Sequence, residues 1–161
     1  YAYNVQVKRV GRFDVQKANA LNIPKKLWSI LQKQQSVEFE GKTYTSDMVL
    51  GSPRKGIKVS YCTDTRPTKE LPAFVENSDL FICEGMYGEK DKIQKAKEYK
   101  HMMFTEAAEI AKKANVNEMW LTHFSPAMPF PEEFLPSAKE IFENTHIGKD
   151  RKNVTLLFEE D

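Results

Sequence analysis

The sequence has 161 residues, which is enough for one domain with a hydrophobic core. Its 24 basic and 23 acidic side chains nearly cancel, so no global charge draws the chain toward nucleic acid or a membrane. No apolar run approaches the length of a membrane span and no signal peptide opens the chain, so we expect a cytoplasmic protein without a membrane partner. Cys62 and Cys83 fall in predicted strands and are expected to stay reduced. Because the first residue is Tyr1, we expect a piece of a longer polypeptide.

The first third of the chain is predicted to form a strand, two short helices and a hairpin. Apolar and polar residues alternate over residues 1–10, which predicts a strand. Asp14 is suited to cap a first helix, and Pro24 stands near the first position of a second helix. Residues 40–42 read Glu-Gly-Lys between two short alternating runs, which predicts a hairpin. A loop over residues 51–56 then leads into the next strand.

The rest of the chain alternates strands with helices. Short apolar runs predict strands at residues 58–62, 79–83, 119–122 and 154–158. Helical spacing predicts helices at residues 71–77, in the lysine-rich segment 90–100, over residues 103–114, and from residue 131 onward. The lysines of segment 90–100 are typical of a solvated helix face, although they are also suited to contact phosphates. This order of elements predicts an α/β layer structure.

Ionisable side chains stand at three successive strand ends. Asp64, Glu84 and His123 each follow an apolar strand, and His101 lies at the start of the long helix. The carboxyl ends of neighbouring strands are where α/β proteins place ligands and catalytic groups. The pattern therefore predicts a metal site that Asp64 and His123 share between neighbouring strands.

Each of these residues also has a purely structural interpretation. Asp64 opens the sequence Asp-Thr-Arg-Pro, which is good turn chemistry in its own right. His123 can be a buried histidine whose ring bonds a backbone carbonyl, and Glu84 can be a solvent-exposed residue at a strand end. His101 can be an exposed residue at a helix start, and His146 is interpreted as loop or surface. The local sequence leaves these alternatives open.

Taken together, these stretches resemble one family, ribonuclease Z, the tRNA 3′-processing endonuclease of the metallo-β-lactamase superfamily. The matching pieces follow the family's order and span nearly the whole chain: residues 11–18 (Gly-Arg-Phe-Asp with Lys-Ala), 49–54 (Val-Leu-Gly-Ser-Pro-Arg), 61–67 (Tyr-Cys-Thr-Asp-Thr-Arg-Pro), 82–84 (Ile-Cys-Glu), His101 with 106–111, and 121–126 (Leu-Thr-His-Phe-Ser-Pro). No single piece is decisive, but the set is specific.

The resemblance implies a role for each residue of the site. Asp64 matches the aspartate that bridges two zinc ions, and His123 matches the last histidine ligand. His101 matches a histidine thought to stabilise or protonate the scissile phosphate and the leaving oxygen. Glu84 matches the acid that holds this histidine in place. Two cations can activate a water and neutralise the charge on a phosphate, and a His/Asp site accepts manganese as well as zinc.

The family's main zinc motif, H-x-H-x-D-H, does not occur in this sequence. That motif belongs to the N-terminal half of the family fold. Asp64 and His123 alone are too few to hold two zinc ions. We therefore expect residues 1–161 to be a single unit, the C-terminal half of a four-layered αββα sandwich, and to be inactive without the N-terminal half.

The implied function of the intact parent is zinc-dependent removal of the 3′ trailer from precursor tRNA. Several positions depart from the family pattern and leave other substrates open: Thr63, residues 83–86 (Cys-Glu-Gly-Met), Met102, Met103 and Ala127. One alternative is another hydrolase of this fold that acts on a phosphodiester or small ester. The other is a non-catalytic half that only pairs with a partner chain. A half-sheet exposes an apolar face, so a homodimer is a further expectation.

Overall fold

The computed structural model describes residues 1–160, so the last residue of the predicted 1–161 unit lies outside the described residues. Backbone contacts divide the chain into two compact units. The larger unit comprises Tyr1–Val7 and Ile57–Glu160, and the smaller unit comprises Lys8–Gly56. Among the described residues, no helix combines the length and the apolar character that crossing a membrane requires.

Residues 1–160 contain seven strands and six α-helices. The strands are β1 (Ala2–Arg9), β2 (Ser36–Phe39), β3 (Lys42–Thr45), β4 (Arg54–Cys62), β5 (Leu80–Glu84), β6 (Met119–Thr122) and β7 (Thr145–Ile147). The helices are α1 (Val15–Ala20), α2 (Lys25–Leu31), α3 (Leu71–Phe74), α4 (Ile93–Tyr99), α5 (Phe104–Lys113) and α6 (Leu135–Lys139). Short 3₁₀ turns occur at Ser46–Met48, Lys90–Lys92 and Pro131–Phe134.

The smaller unit follows the local sequence signals closely. Asp14 caps α1, because its carboxylate accepts a hydrogen bond from the backbone N–H of Lys17 at 2.9 Å. Strands β2 and β3 pair as an antiparallel hairpin. Its turn residues Glu40 and Gly41 both have positive φ, 51° and 72°, as a two-residue hairpin turn requires. The core of this unit is a small apolar cluster of Ala18, Ile23, Leu27, Leu31 and Val49.

A five-stranded sheet in the order β1-β4-β5-β6-β7 organises the larger unit. Strands β4, β5, β6 and β7 run parallel to one another. One row of residues in register across these four strands is buried, and it consists of Cys62, Cys83, Leu121 and Ile147. Helix α5 packs against β5 and β6, and α6 packs against β7. This layering confirms the predicted α/β class and places the core between the sheet and these helices.

The other side of the sheet keeps apolar side chains in contact with solvent. Tyr61 belongs to the neighbouring row in register, together with Ile82, Trp120 and His146, and it is 38% exposed. On β1, alternate residues Tyr3, Val5 and Val7 are all more than half exposed. A sheet with helices on one face and accessible apolar side chains on the other is suited to a further covering layer.

The final strand was predicted in the wrong place. Residues 154–158 have no regular secondary structure, and Val154, Leu157 and Phe158 are exposed. The last strand is instead β7, which includes His146, a residue that the sequence interpretation assigned to a loop or surface. A strand of three residues is too short to show an alternation pattern in the sequence. β7 is defined instead by its long-range pairing with β6.

Other element boundaries differ by a few residues. Helix α3 is shorter than the predicted helix over residues 71–77, because Asn77 has φ 54° and donates its N–H to the carbonyl of Ala114. Strand β4 begins at Arg54, inside the predicted loop 51–56. His101 lies three residues before the first residue of α5, in the segment after α4, and not within the helix itself. The lysines at positions 90, 95, 97 and 100 are exposed, as predicted for a solvated face.

Candidate metal centre

Parallel strands bring the predicted site residues to one edge of the sheet. Glu84 is the last residue of β5, His123 directly follows β6, and Asp64 lies two residues after β4. Because these three strands are adjacent and parallel, their carboxyl ends lie side by side. His101 reaches the same place from the segment between α4 and α5. The structure thus brings together all four residues that the sequence singled out.

Asp64 and His123 turn the chain sharply as it leaves the sheet. Both have left-handed backbone conformations, with φ of 50° and 58°. Such values are uncommon for residues other than glycine, although Asp and His adopt them more often than most side chains do. The strand-end turns therefore carry backbone strain at two residues whose side chains meet: Oδ1 of Asp64 lies 3.2 Å from Nε2 of His123.

Three side chains offer ligand atoms to one point. A carboxylate oxygen of Asp64 and ring nitrogens of His101 and His123 all lie within 4.8 Å of one another. Imidazole nitrogen and carboxylate oxygen are the donor types of divalent-metal sites such as those of zinc. Two ligand atoms on one tetrahedral zinc ion are about 3.3 Å apart, close to the Asp64–His123 distance. The donor set therefore fits a divalent metal ion, with His101 available as a third ligand that the sequence interpretation did not include.

Glu84 is fully buried, so its interpretation as a solvent-exposed strand end is wrong. Its Oε2 lies 2.8 Å from Nδ1 of His101 and accepts a hydrogen bond from the backbone N–H of Met102 at 3.3 Å. Its Oε1 accepts a hydrogen bond from the N–H of Thr65 at 2.5 Å. Since both oxygens accept from backbone amides, the carboxylate acts as an acceptor and the His101 ring donates through Nδ1. This leaves Nε2 of His101 as the nitrogen that can act in the site.

Exposure decides the interpretation of His123, whereas Asp64 occupies the turn that its local sequence predicts. The side chain of Asp64 is 54% exposed and that of His123 is 41% exposed, so His123 is not a buried histidine. The side chain of His101 is 19% exposed, because Glu84 holds it against the protein. The site is an accessible group of ligand atoms backed by one buried carboxylate.

Sequence interpretation missed the contacts of Arg66 and Glu106. Nη1 of Arg66 donates to the backbone carbonyl of His101 at 2.6 Å, and the guanidinium also pairs with the carboxylate of Glu106. Glu106 in turn accepts from the N–H of Met103, the residue that caps α5. Glu106 stands at the third helical position, where a capping box has its glutamate, but the cap residue is Met103 and not a serine or threonine, so the sequence gives only half of that signal. Arg66 lies 40 residues from Glu106, so no local pattern predicts their contact.

The two cysteines lie directly behind the site. Cys62 and Cys83 are partners in register on β4 and β5, both are buried, and both are free thiols, as predicted. A hydrogen bond with Cys83 lowers the pKa of the Cys62 thiol below its ordinary value. Burial raises the pKa of the Cys83 thiol well above its ordinary value.

Comparison with protein families identifies the superfamily. A family model described as a beta-lactamase superfamily domain matches residues 12–124, more than half of the chain. The chain belongs to the beta-lactamase superfamily. All of this chain is similar to curated proteins named ribonuclease Z, the family that the sequence resembles. That of Agathobacter rectalis is 58% identical over 161 residues, all of this chain and 53% of the relative. That of Clostridium acetobutylicum is 58% identical over 158 residues, 98% of this chain and 51% of the relative.

Solved structures agree with this assignment. The metallo-beta-lactamase fold protein YhfI from Bacillus subtilis is 30% identical, with a TM-score of 0.51 over 58% of this chain and 37% of that protein. The short form of human tRNase Z has a TM-score of 0.51 over 72% of this chain and 37% of that protein, and at 18% identity it shows the fold alone. The predicted metallo-β-lactamase type of α/β fold is confirmed. The chain spans about half the length of the curated relatives it matches.

Proposed function

We propose that the intact protein containing this chain is a zinc-dependent endoribonuclease that removes the 3′ trailer from precursor tRNA in the cytoplasm. The observation that carries the proposal is the convergence of Asp64, His101 and His123 at one sheet edge, in a chain 58% identical over its full length to a protein named ribonuclease Z. Carboxylate and imidazole donors suit zinc, and manganese can occupy the same kind of site.

Each residue takes a distinct role in this proposal. Asp64 and His123 would hold zinc, which supplies Lewis acidity for phosphodiester hydrolysis when bound. His101 would act through Nε2 on the scissile phosphate, stabilising it and donating a proton to the leaving oxygen. Glu84 would fix the orientation of the ring, because it accepts the Nδ1 hydrogen bond from a fully buried position.

We also propose that residues 1–161 form one half of a metallo-β-lactamase sandwich and need the N-terminal half for activity. Asp64 and His123 are two ligands, whereas a pair of zinc ions needs several more. The accessible apolar side chains of Tyr3, Val5, Val7 and Tyr61 support a partner layer on that side of the sheet. The N-terminal half of the fold, with its H-x-H-x-D-H motif, would supply both the missing ligands and that layer, and a second copy of this chain is the alternative partner.

The test is cleavage of a labelled precursor tRNA by the intact protein. An equivalent reagent is a chimera of this chain with the part of Agathobacter rectalis ribonuclease Z that the chain does not match. We expect zinc-dependent release of the 3′ trailer, loss of cleavage in chelator, and no cleavage by the 161-residue chain alone. No cleavage by a folded, zinc-loaded intact protein would contradict the proposed function. Cleavage by the chain alone would contradict the proposed half-site.

A second hydrolase function is favoured by the similarity to YhfI, a metallo-beta-lactamase fold protein whose name specifies no RNA substrate. Under this alternative, the intact protein would hydrolyse a small phosphodiester or ester. The two functions differ in salt dependence, because binding of a tRNA backbone releases counterions and weakens steeply as salt rises. A steep salt dependence of precursor-tRNA binding favours the endoribonuclease, and efficient hydrolysis of bis(p-nitrophenyl) phosphate without tRNA binding favours the alternative.

A further inference from the structure

Arg66 makes one hydrogen bond to the backbone of His101 and two to the carboxylate of Glu106. Its Nη1 donates to the carbonyl oxygen of His101 at 2.6 Å and to Oε2 of Glu106 at 2.7 Å, and its Nη2 donates to Oε1 of Glu106. The Arg66 and Glu106 side chains are 25% and 20% exposed, so solvent screens this pair only in part. A two-pronged guanidinium–carboxylate pair fixes both distance and orientation.

Glu106 ties the same pair to the start of α5. Its Oε2 also accepts the N–H of Met103 at 2.9 Å, as the third residue of a capped helix does. Two hydrogen bonds therefore hold the segment from His101 to Met103. Arg66 bonds the carbonyl of His101, and Glu106 bonds the N–H of Met103. Because α5 packs on the central strands β5 and β6, these two bonds join the segment to the rigid core.

The loop that carries Asp64 is joined to His101 by two separate routes. Thr65 donates its N–H to Oε1 of Glu84, whose other oxygen bonds the His101 ring. Arg66, the next residue, bonds the His101 backbone. One short loop thus sets the position of Asp64 while it holds both the ring and the main chain of His101. The bond from Glu84 orients the imidazole ring of His101, and the bond from Arg66 fixes the position of the His101 main chain.

We propose that Arg66, paired with Glu106, is a positioning residue for the reaction: it holds the main chain of His101 at a fixed place relative to Asp64. This inference rests on the proposed function. A lysine at position 66 would preserve the charge but not the contacts, because a single ammonium group cannot bond the His101 carbonyl and both oxygens of Glu106 in one plane. Small displacements of a reacting group have large effects on rate, since a 1 Å misplacement can cost about 100-fold.

Three variants of the intact protein separate positioning from simple stabilisation. Arg66→Ala removes all three bonds, and Arg66→Lys keeps a positive charge beside Glu106. The double variant Arg66→Glu with Glu106→Arg restores an ion pair of reversed sense but removes both the Arg66 donor to the His101 carbonyl and the carboxylate acceptor of the Met103 N–H. The control is Glu109→Gln. Glu109 is an exposed acid on α5, the helix that also carries Glu106, and it lines the same surface cavity as Arg66 and Glu106.

The experiment measures turnover on precursor tRNA, zinc content and hydrogen exchange of the amides of residues 102–103. For Arg66→Ala we expect kcat to fall about 100-fold while KM changes less than about threefold and zinc content is unchanged. We expect Arg66→Lys to lose about 10-fold, the reversed pair to stay as slow as Arg66→Ala, and amide exchange to accelerate about 10-fold or more in both the alanine and the reversed variants. Glu109→Gln should match the wild type.

Normal kcat in the reversed pair would overturn the inference, because an ion pair alone would then suffice. Unchanged amide exchange in Arg66→Ala would overturn it as well, since residues 101–103 would then be held without Arg66. Amide exchange does not depend on the substrate. If the wild-type protein cleaves no precursor tRNA, the proposed function fails, while the exchange result still decides whether Arg66 holds this segment.

Discussion

Oε2 of Glu84, a fully buried carboxylate, lies 2.8 Å from Nδ1 of His101. The same carboxylate also accepts hydrogen bonds from the backbone N–H groups of Thr65 and Met102, so all three of its partners are donors. A group that accepts from three donors cannot be exchanged for one that donates without leaving a buried N–H unpaired. The arrangement explains how one acid can set both the stability of the strand end and the orientation of the histidine.

Glu84→Gln tests this relationship with almost no change in shape. If the amide oxygen faces Thr65, the amide nitrogen faces the N–H of Met102, and the reverse orientation leaves Thr65 unpaired. We expect the free energy of unfolding to fall by about 1–3 kcal/mol and kcat to fall about 100-fold. Urea unfolding and cleavage kinetics measure the two effects in the intact protein. Glu109→Gln should change stability by less than about 0.5 kcal/mol, and wild-type behaviour of Glu84→Gln would refute the role of the buried carboxylate.

Asp64→Asn separates the charge of this residue from its backbone conformation. Asparagine tolerates positive φ as aspartate does, so we expect the stability of the metal-free protein to change by less than about 0.5 kcal/mol. Asp64→Ala should cost about 1–2 kcal/mol more, because alanine lacks the side chain that suits the left-handed conformation. Both variants should lose turnover. Retention of normal turnover in Asp64→Asn would remove Asp64 from the site.

Substitution of each of the three histidines should affect zinc content and turnover differently. We expect His123→Asn to lower the zinc content of the intact protein, and His101→Asn to lower turnover far more than zinc content. His146→Asn is the matched control, because His146 lies on β7 with its Nε2 3.0 Å from Oδ1 of Asn144 and is not among the clustered ligand residues. Elemental analysis and cleavage kinetics are run on the same samples. Loss of zinc in His101→Asn would instead make His101 a metal ligand.

The cysteine pair predicts a stability loss at alkaline pH. Above pH of about 9, the unfolded chain has lost both thiol protons, whereas the folded chain keeps one because burial raises the pKa of Cys83. The lowered pKa of Cys62 means that its proton is already gone from the folded state. Stability attributable to the raised pKa of Cys83 is therefore present below that pH and declines as pH rises above it, by up to about 1.4 kcal/mol per pH unit, whereas the lowered pKa of Cys62 adds stability only as pH rises toward that value.

The measurement compares wild-type protein with the double variant Cys62→Ala and Cys83→Ala. Urea unfolding between pH of about 9 and about 10.5, with reductant and chelator present, gives the slope of stability against pH for each. We expect a shallower slope in the double variant. Equal slopes would show that the folded protein does not retain a thiol proton at this position.

The sequence alone predicts the three central strands and their ionisable ends, because β4 ends in an alternating pattern, β5 and β6 are short apolar runs, and an ionisable residue stands at or just after the end of each. It also predicts the cap at Asp14 and the buried face of α5, since the cap signal lies within one helical turn and the apolar spacing lies within one helix. These are local features, and the structure reproduces them closely.

Features that depend on distant residues were not predicted. Strand β7 forms only because three residues pair with β6, and the five-residue segment 154–158, which was predicted to be a strand, has no partner strand among the described residues. The burial of Glu84 follows from the segment before α5 closing over it, not from its neighbours in sequence. The contact between Arg66 and Glu106 likewise spans 40 residues. Resemblance to a family supplied the roles of the site residues, but not this network.

The central claim is that this chain carries half of a zinc site whose other ligands belong to the rest of the intact protein. Zinc per chain, measured by elemental analysis of the 161-residue chain and of the intact protein purified in parallel without chelator, tests it most directly. We predict near zero for the chain alone and two ions for the intact protein. One or two tightly held ions in the chain alone would contradict the claim, and would show that Asp64, His101 and His123 hold metal without the N-terminal half.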